Sequence, residues 1–302
     1  MRALTSPAQS RRGQLPPDAW YPAYDARVTA RLIDGEGEQV RVLEAGPADG
    51  APVLLLHGWG CSAFAWRHVL PALAEAGHRA LAIDLRGHGL SDKPEEEAAY
   101  TTSAMVTHVD AVRGALGLGR HAVVGHSMGA VIARDLMFAD PERITHAALV
   151  SPAGFGRIRR REMGVLFSPR LMTQVLPLVV TRAAVARSMR HTFGPNSMPS
   201  PRDIEDYWAP SQFPAFLTAS RHLLHVFDWS PPAPSAWRAQ TLPPMLVVLG
   251  AHEALLDADA TEVYVATHLP RARLEIVEGG GHACQEDSPA VVNPLLVEFL
   301  RA

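Results

Sequence analysis

Only two cysteines, Cys61 and Cys284, occur in 302 residues, so no disulfide framework is needed and a reducing compartment is the simpler reading. No CxxC pattern marks a zinc site. No apolar run reaches the roughly 18 to 20 residues of a membrane-spanning helix, and the N-terminus shows no apolar signal core. Arg11-Arg12 is followed by Gly13, Gln14, Pro16 and Pro17, which spoils its likeness to a twin-arginine signal; a cytoplasmic location is expected. Charge of one sign is also lacking: 28 basic and 31 acidic residues give a formal net charge of -3, no electrostatic basis for binding nucleic acid. The one dense basic run, RIRRR over 157–161, reads as a solvated face.

What is present is apolar material: 47% hydrophobic against 20% charged residues suits a globular chain with a sizeable core. Residues 1–25, rich in Ala, Ser, Pro and Arg, read as a loose arm. Two strand-like stretches, 28–33 and 40–44, flank the turn-forming Asp34-Gly35-Glu36-Gly37 and predict a hairpin. Continuous apolar runs follow at 53–56, 80–83, 122–124, 147–150, 245–249 and 274–277. Helical patterns interleave near 65–76, 102–117, 128–139, 258–268 and 288–301. This alternation predicts an α/β fold: a mostly parallel central sheet with helices on both faces. Between about Gly154 and Pro243 strand-like runs fade while Trp, Phe, Met, Leu and Pro persist. The organisation expected is a catalytic domain over 26–153 and 241–302, with a helical cap, 154–240, inserted over a pocket.

The sharpest local signal is HAVVGHSMGA, an apolar strand leading into Gly125-His126-Ser127-Met128-Gly129 and then a helix. A tight strand-to-helix turn of this GxSxG form holds the serine above the sheet, and the flanking glycines let the backbones approach. Upstream, VLLLHGWG runs a buried strand into His57-Gly58-Trp59-Gly60. This loop is suited to aim the Trp59 amide at a developing oxyanion, with the Met128 amide at the helix N-terminus as second donor. The Trp59 and Met128 side chains are expected to shape a hydrophobic substrate pocket.

HGWG, then DLRGHGLSDKP at 84–94, GHSMG, and GGGHACQED at 279–287, in this order and spacing, resemble the α/β-hydrolase superfamily across nearly the whole catalytic domain. The resemblance implies Ser127 as nucleophile and His282 as its base, an imidazole titrating near neutrality and so able to take and return the serine proton. It places the third, orienting acid at Glu253, where relatives usually carry Asp, with Asp257 as the competing carboxylate. It also implies that Asp84 to Ser91 braces loops. Relatives that act on haloalkanes or epoxides carry Asp at the nucleophile position, and this chain has Ser127.

His57 and His126 read as structural hydrogen-bonding groups within their motifs. Cys61 and Cys284 fall near the predicted site as inert small hydrophobes. His222 and His225 have helical spacing, but no third ligand completes a metal site. Neither metal nor cofactor is expected. The leading function is a serine hydrolase of small or medium apolar esters working through an acyl-enzyme. A carbon–carbon bond hydrolase, an acyl-transferring or cyclising biosynthetic enzyme and a slow-turnover ligand receptor remain alternatives on the same fold.

Overall fold

The structure, a computed structural model, describes residues 25–156, 158, 180–238 and 242–301. Strands β1 (Val28–Gly35) and β2 (Glu38–Ala45) pair antiparallel from Val28↔Ala45 to Gly35↔Glu38. Their turn puts Glu36 at φ 57° and Gly37 at φ 94°, the doubly left-handed geometry that matches the twist of a hairpin. Asp34 Oδ1 accepts from the Gly37 amide at 2.6 Å.

β2 pairs antiparallel with β4 (His78–Ile83), and every later pairing is parallel: β4 with β3 (Ala51–Leu56), then β5 (His121–His126), β6 (Ile144–Val150), β7 (Met245–Gly250) and β8 (Arg273–Val277). The sheet is eight-stranded, in the order β1-β2-β4-β3-β5-β6-β7-β8. Successive residues of a strand face opposite sides, so continuous apolar runs feed two cores. Leu54, Leu56, Val123, Leu149, Val247 and Leu249 join apolar residues of α2 (Thr102–Ala115), α3 (Met128–Ala139) and α8 (Ala258–His268). Val53, Leu55, Val124, Val150, Leu246 and Val248 join those of α1 (Val69–Glu75) and α9 (Pro289–Arg301). The first predicted helix differs in detail: its start is a separate 3-10 turn, Ala63–Trp66, whose Phe64 amide Ser62 caps.

Between β6 and β7 the chain forms α4 (Arg182–Thr192), α5 (Pro201–Trp208), α6 (Pro214–Val226) and α7 (Pro234–Arg238). Proline at the first position starts the last three, where its missing N–H costs nothing. Ser200 and Asp203 add a reciprocal capping box to α5. Residues 1–24 of the expected arm and Arg157, Arg159, Arg160 and Arg161 of the basic run lie outside the described residues. No helix among the described residues is long and apolar enough to cross a membrane.

The segment after β4 is a brace. Asp84, fully buried, takes Arg41 through both carboxylate oxygens at 2.6 and 3.0 Å and accepts the Ala63 and Leu90 amides at 2.7 Å each. Burial alone would raise its carboxyl, yet the Arg41 guanidinium and these amides hold it below the usual range. Lys93 donates to the carbonyls of Gly89 and Ser91 at 2.8 and 2.7 Å and lies over the Phe213 ring, fastening this segment to the start of α6.

Candidate active site

Ser127 stands between the last residue of β5 and the first of α3 at φ 53° and ψ -113°. A non-glycine residue there costs on the order of 1–3 kcal/mol, so the surroundings must hold it. They do so through its backbone: its N–H donates to the Val150 carbonyl at 3.0 Å, and its carbonyl accepts from Ala130 at 3.1 Å and Ala153 at 3.3 Å. The glycines allow the crossing. A Cβ on Gly125 would lie 2.4 Å from the Gly129 carbonyl oxygen, and one on Gly129 only 2.2 Å from that of Leu56. Gly129→Ala would force α3 away from β3, and we expect a loss on the order of 3 kcal/mol in denaturant unfolding. A loss under about 0.5 kcal/mol would show that this packing yields easily.

The Met128 amide is the first of α3, with no carbonyl partner inside the helix, and it carries the positive end of the helix dipole. The Met128 side chain corrects an expectation: it is fully buried in the core formed with α2 and α3 and does not line the pocket, because the turn that raises Ser127 sends the next side chain inward. Trp59 does line it, and its indole N–H donates to the Ser220 carbonyl on α6 at 3.1 Å.

His57 fixes the loop that carries Trp59. Its Nδ1 donates to the Gly58 carbonyl at 2.7 Å and its Nε2 accepts the Leu85 amide at 3.0 Å, which requires the neutral ring with the proton on Nδ1. Burial pushes its pKa down to about 4, so it stays neutral in this role. A Cβ on Gly58 would come within 3.1 Å of Ser127 Cβ; the loop runs against the turn that carries Ser127. His126 donates through Nε2 to the His282 carbonyl at 3.0 Å, and burial lowers it to about 3.

His282 follows β8 on a loop fastened from two sides: Asp287 Oδ2 accepts the amides of Gly281 and Gly194 at 2.7 Å each, and the Ala283 amide donates to Thr192. The His282 ring is buried, and its Nδ1 meets Glu253 Oε2 at 2.8 Å and Oε1 at 2.9 Å. Glu253, on the loop after β7, also accepts the Leu255 and Leu256 amides through Oε1 at 2.8 and 3.1 Å. Burial acts to raise its carboxyl, but the adjoining imidazole and the two amides outweigh it and hold the group below its ordinary value. A carboxylate against Nδ1 places the proton there and leaves the Nε2 lone pair free. Asp257 is placed elsewhere: its Oδ1 caps α8 through the Ala260 amide at 3.1 Å.

Ser127, His282 and Trp59 line one cavity of about 400 Å³, whose other walls come largely from the segment between β6 and β7, including Phe216, Leu217 and Leu224. Ser127 Oγ makes no hydrogen bond among the described residues. Cys61 also lines the cavity, with burial pushing its thiol up to about 12, whereas Cys284 is fully buried away from it. The neutral thiol of Cys61 is a poor nucleophile at ordinary pH.

One polar wall of the cavity had no signal in the sequence. Arg67, buried beneath it, pairs with Glu286 at 2.5 Å and with Asp203 of α5 at 3.0 Å, while the Tyr207 hydroxyl donates to Glu286 at 2.5 Å. Burial raises the Glu286 carboxyl against the opposing pull of Arg67. Arg67, the α5 residues Asp203 and Tyr207, and Glu286 come from three distant parts of the chain and no single motif holds them, so only tertiary packing unites them. His222 stacks on Tyr100 at 5.5 Å and bonds the Glu95 carbonyl, while His225 is exposed. Among the described residues no group of three or more His, Cys, Asp or Glu side chains could hold a metal ion.

With this geometry in place, the chain belongs to the α/β hydrolase fold family, whose model matches residues 51–289, and it is a hydrolase. Among curated relatives, epoxide hydrolase A of Mycobacterium tuberculosis is 26% identical over 313 residues, covering 90% of this chain and 97% of that protein. Among solved structures, an epoxide hydrolase from an endophytic Streptomyces superposes with TM-score 0.73 at 28% identity, covering 92% of this chain and 96% of that one. Carboxylesterase CesB of Bacillus subtilis superposes with TM-score 0.77 at 20% identity and 93% coverage of each chain.

Proposed function

We propose that this protein is a serine-dependent hydrolase of small or medium apolar esters, with Ser127, His282 and Glu253 as its triad and residues 154–240 as a cap over the pocket. The observation that carries the reading is the Glu253 carboxylate held at 2.8 Å from Nδ1 of His282, whose ring lines the same cavity as a strained Ser127. Nε2 is then free to take the Ser127 proton as Oγ attacks the ester carbonyl. The Met128 and Trp59 amides receive the oxyanion. His282 returns its proton to the departing alkoxide, and water, deprotonated in turn by Nε2, releases the acyl group from Ser127. The apolar walls suit an aliphatic or aryl chain around the scissile carbonyl.

Epoxide hydrolases are prominent among the relatives, and the residue at the turn argues against carrying their chemistry over. A serine oxygen that opened an epoxide would become an ether, which has no carbonyl for water to attack, and the enzyme would stop after one event. A carboxylate nucleophile forms an ester and can be released. With an ester substrate, Ser127 forms an acyl group that water can remove.

The test is a rapid-mixing time course with 4-nitrophenyl butyrate. We expect a burst of nitrophenolate approaching one equivalent of protein, followed by sustained turnover, and a mass increase of one butyryl group on the peptide carrying Ser127. Rapid styrene oxide opening with no ester turnover would overturn the reading. A burst without turnover would favour the receptor alternative.

A further inference from the structure

Arg221 lies on α6 in the wall of the Ser127 cavity, half-buried, and has no ion-pair, hydrogen-bond or ring partner among the described residues. That is unusual for a guanidinium, which stays charged at every ordinary pH and carries a fork of donors that burial leaves in need of an acceptor. Its surroundings repeat the pattern. The preceding residue, Ser220, and Trp229 just beyond the end of α6 line the same cavity, and the Ser220 hydroxyl and the Trp229 indole N–H are both buried with no partner among the described residues. An indole nitrogen can only donate. The cavity's one carboxylate among its described lining residues, Glu286, is already engaged by Arg67 and Tyr207 and leaves Arg221 unneutralised.

An apolar cavity with one unpaired cation and neighbouring unused donors among its described lining residues is short of an anionic acceptor. We propose that Arg221 is a specificity-determining residue that binds a carboxylate on the substrate's acyl chain, remote from the scissile carbonyl, so that the preferred substrates are half-esters of aliphatic dicarboxylic acids. The proposal rests on the ester-hydrolase reading for the reacting group, but not for the carboxylate subsite itself. Two features fit together in such a substrate: methylenes fill the apolar walls, and the terminal carboxylate meets the guanidinium in a site where few waters compete. The indole of Trp59 donates to the carbonyl of Ser220, so the loop that carries Trp59 and the part of α6 that carries Arg221 are joined.

The test compares 4-nitrophenyl hydrogen adipate with the uncharged 4-nitrophenyl heptanoate on the intact protein, Arg221→Gln and Arg221→Lys. We expect Arg221→Gln to lower kcat/KM for the anionic ester about 10- to 100-fold, mostly through KM, and to leave the uncharged ester within about 3-fold. Arg221→Lys should restore part of the loss. Equal loss on both esters, or none on the anionic one, overturns the proposal. A second arm needs no turnover: calorimetric binding of hexanoate against hexanamide. Hexanoate binding that is tighter than hexanamide binding in the intact protein, with the difference abolished in Arg221→Gln, supports the carboxylate subsite even if no ester is hydrolysed, a result that would sink only the ester reading. Hexanoate binding that is indifferent to the substitution overturns the subsite.

Discussion

Ser127→Ala is expected to lower kcat for 4-nitrophenyl butyrate on the order of 10⁴- to 10⁶-fold while leaving the folded protein and its ligand affinity nearly intact. The size follows from what the substitution removes. The attacking Oγ disappears, no acyl-enzyme can form, and what remains is whatever the oxyanion donors and the positioned His282 do for direct attack by water. The small structural cost follows from the site. Ser127 is anchored through its backbone, by Val150, Ala130 and Ala153, and its hydroxyl makes no hydrogen bond among the described residues that alanine would forfeit. Alanine also bears the positive φ no worse than serine does. The measurement pairs steady-state kinetics with thermal unfolding of both proteins. Retained turnover, within about tenfold of the intact protein, would mean that another group performs the chemistry. A large fall in melting temperature would mean that the kinetic loss reports on folding instead.

The alternation of apolar runs and helical periods carried most of the fold, because each central strand is covered on both faces and therefore contains little but apolar residues. The hairpin was legible for a different reason: Asp34, Gly35 and Gly37 are turn-forming residues, and Gly37 takes a positive φ that few residues but glycine tolerate, although its neighbour Glu36 takes one too. Ser127 was legible because a close backbone crossing needs Gly125 and Gly129, and that requirement writes itself into the sequence at fixed spacing. The loop of His57 was legible as a motif, but its hydrogen-bonding job was not. The bond from Leu85 to His57 Nε2 spans 28 residues, and no local pattern announces it.

The segment between β6 and β7 was the least readable part. Its helices α4 to α7 begin with caps and prolines that make sense once seen, but their apolar residues serve two masters, the packing among helices and the wall of the cavity, so periodicity could not separate one from the other. The Arg67–Glu286–Tyr207 cluster and the unpaired Arg221 were hidden for the same reason that Met128 was misread. Whether a side chain faces a core, a partner or a cavity is decided by tertiary packing, and composition alone ranks a methionine beside Ser127 as pocket-forming when the turn in fact sends it into the core. The two acids after β7 show the limit sharply. Glu253 and Asp257 stand four residues apart with similar chemistry, and only the path of the loop places one against His282 and the other at the start of α8.

That difference yields the other large effect. Glu253→Gln keeps the volume of the side chain but changes what faces His282. Oε1 of Glu253 already accepts the Leu255 and Leu256 amides, so the glutamine carbonyl is held in that place and its NH₂ group takes the position of Oε2, 2.8 Å from Nδ1. A donor then faces Nδ1 at the shorter contact, the carbonyl at 2.9 Å is the one acceptor left to it, and the negative charge that steadies the imidazolium is gone, so the balance shifts toward the proton on Nε2, where it blocks acceptance of the Ser127 proton. We expect kcat to fall about 10³- to 10⁴-fold, with Asp257→Asn, which touches only a helix cap, staying within about 2-fold. The same carboxylate carries a stability signature. Its folded-state pKa lies below its ordinary value of 4.5, so the ionised group stabilises the fold fully above that value, and this contribution is lost as the pH falls through the depressed one. Unfolding midpoints measured from near-neutral to about pH 3 should therefore fall more steeply for the intact protein than for Glu253→Gln. Parallel curves would place the depression elsewhere, and an Asp257→Asn variant that lost activity while Glu253→Gln kept it would reassign the acid outright.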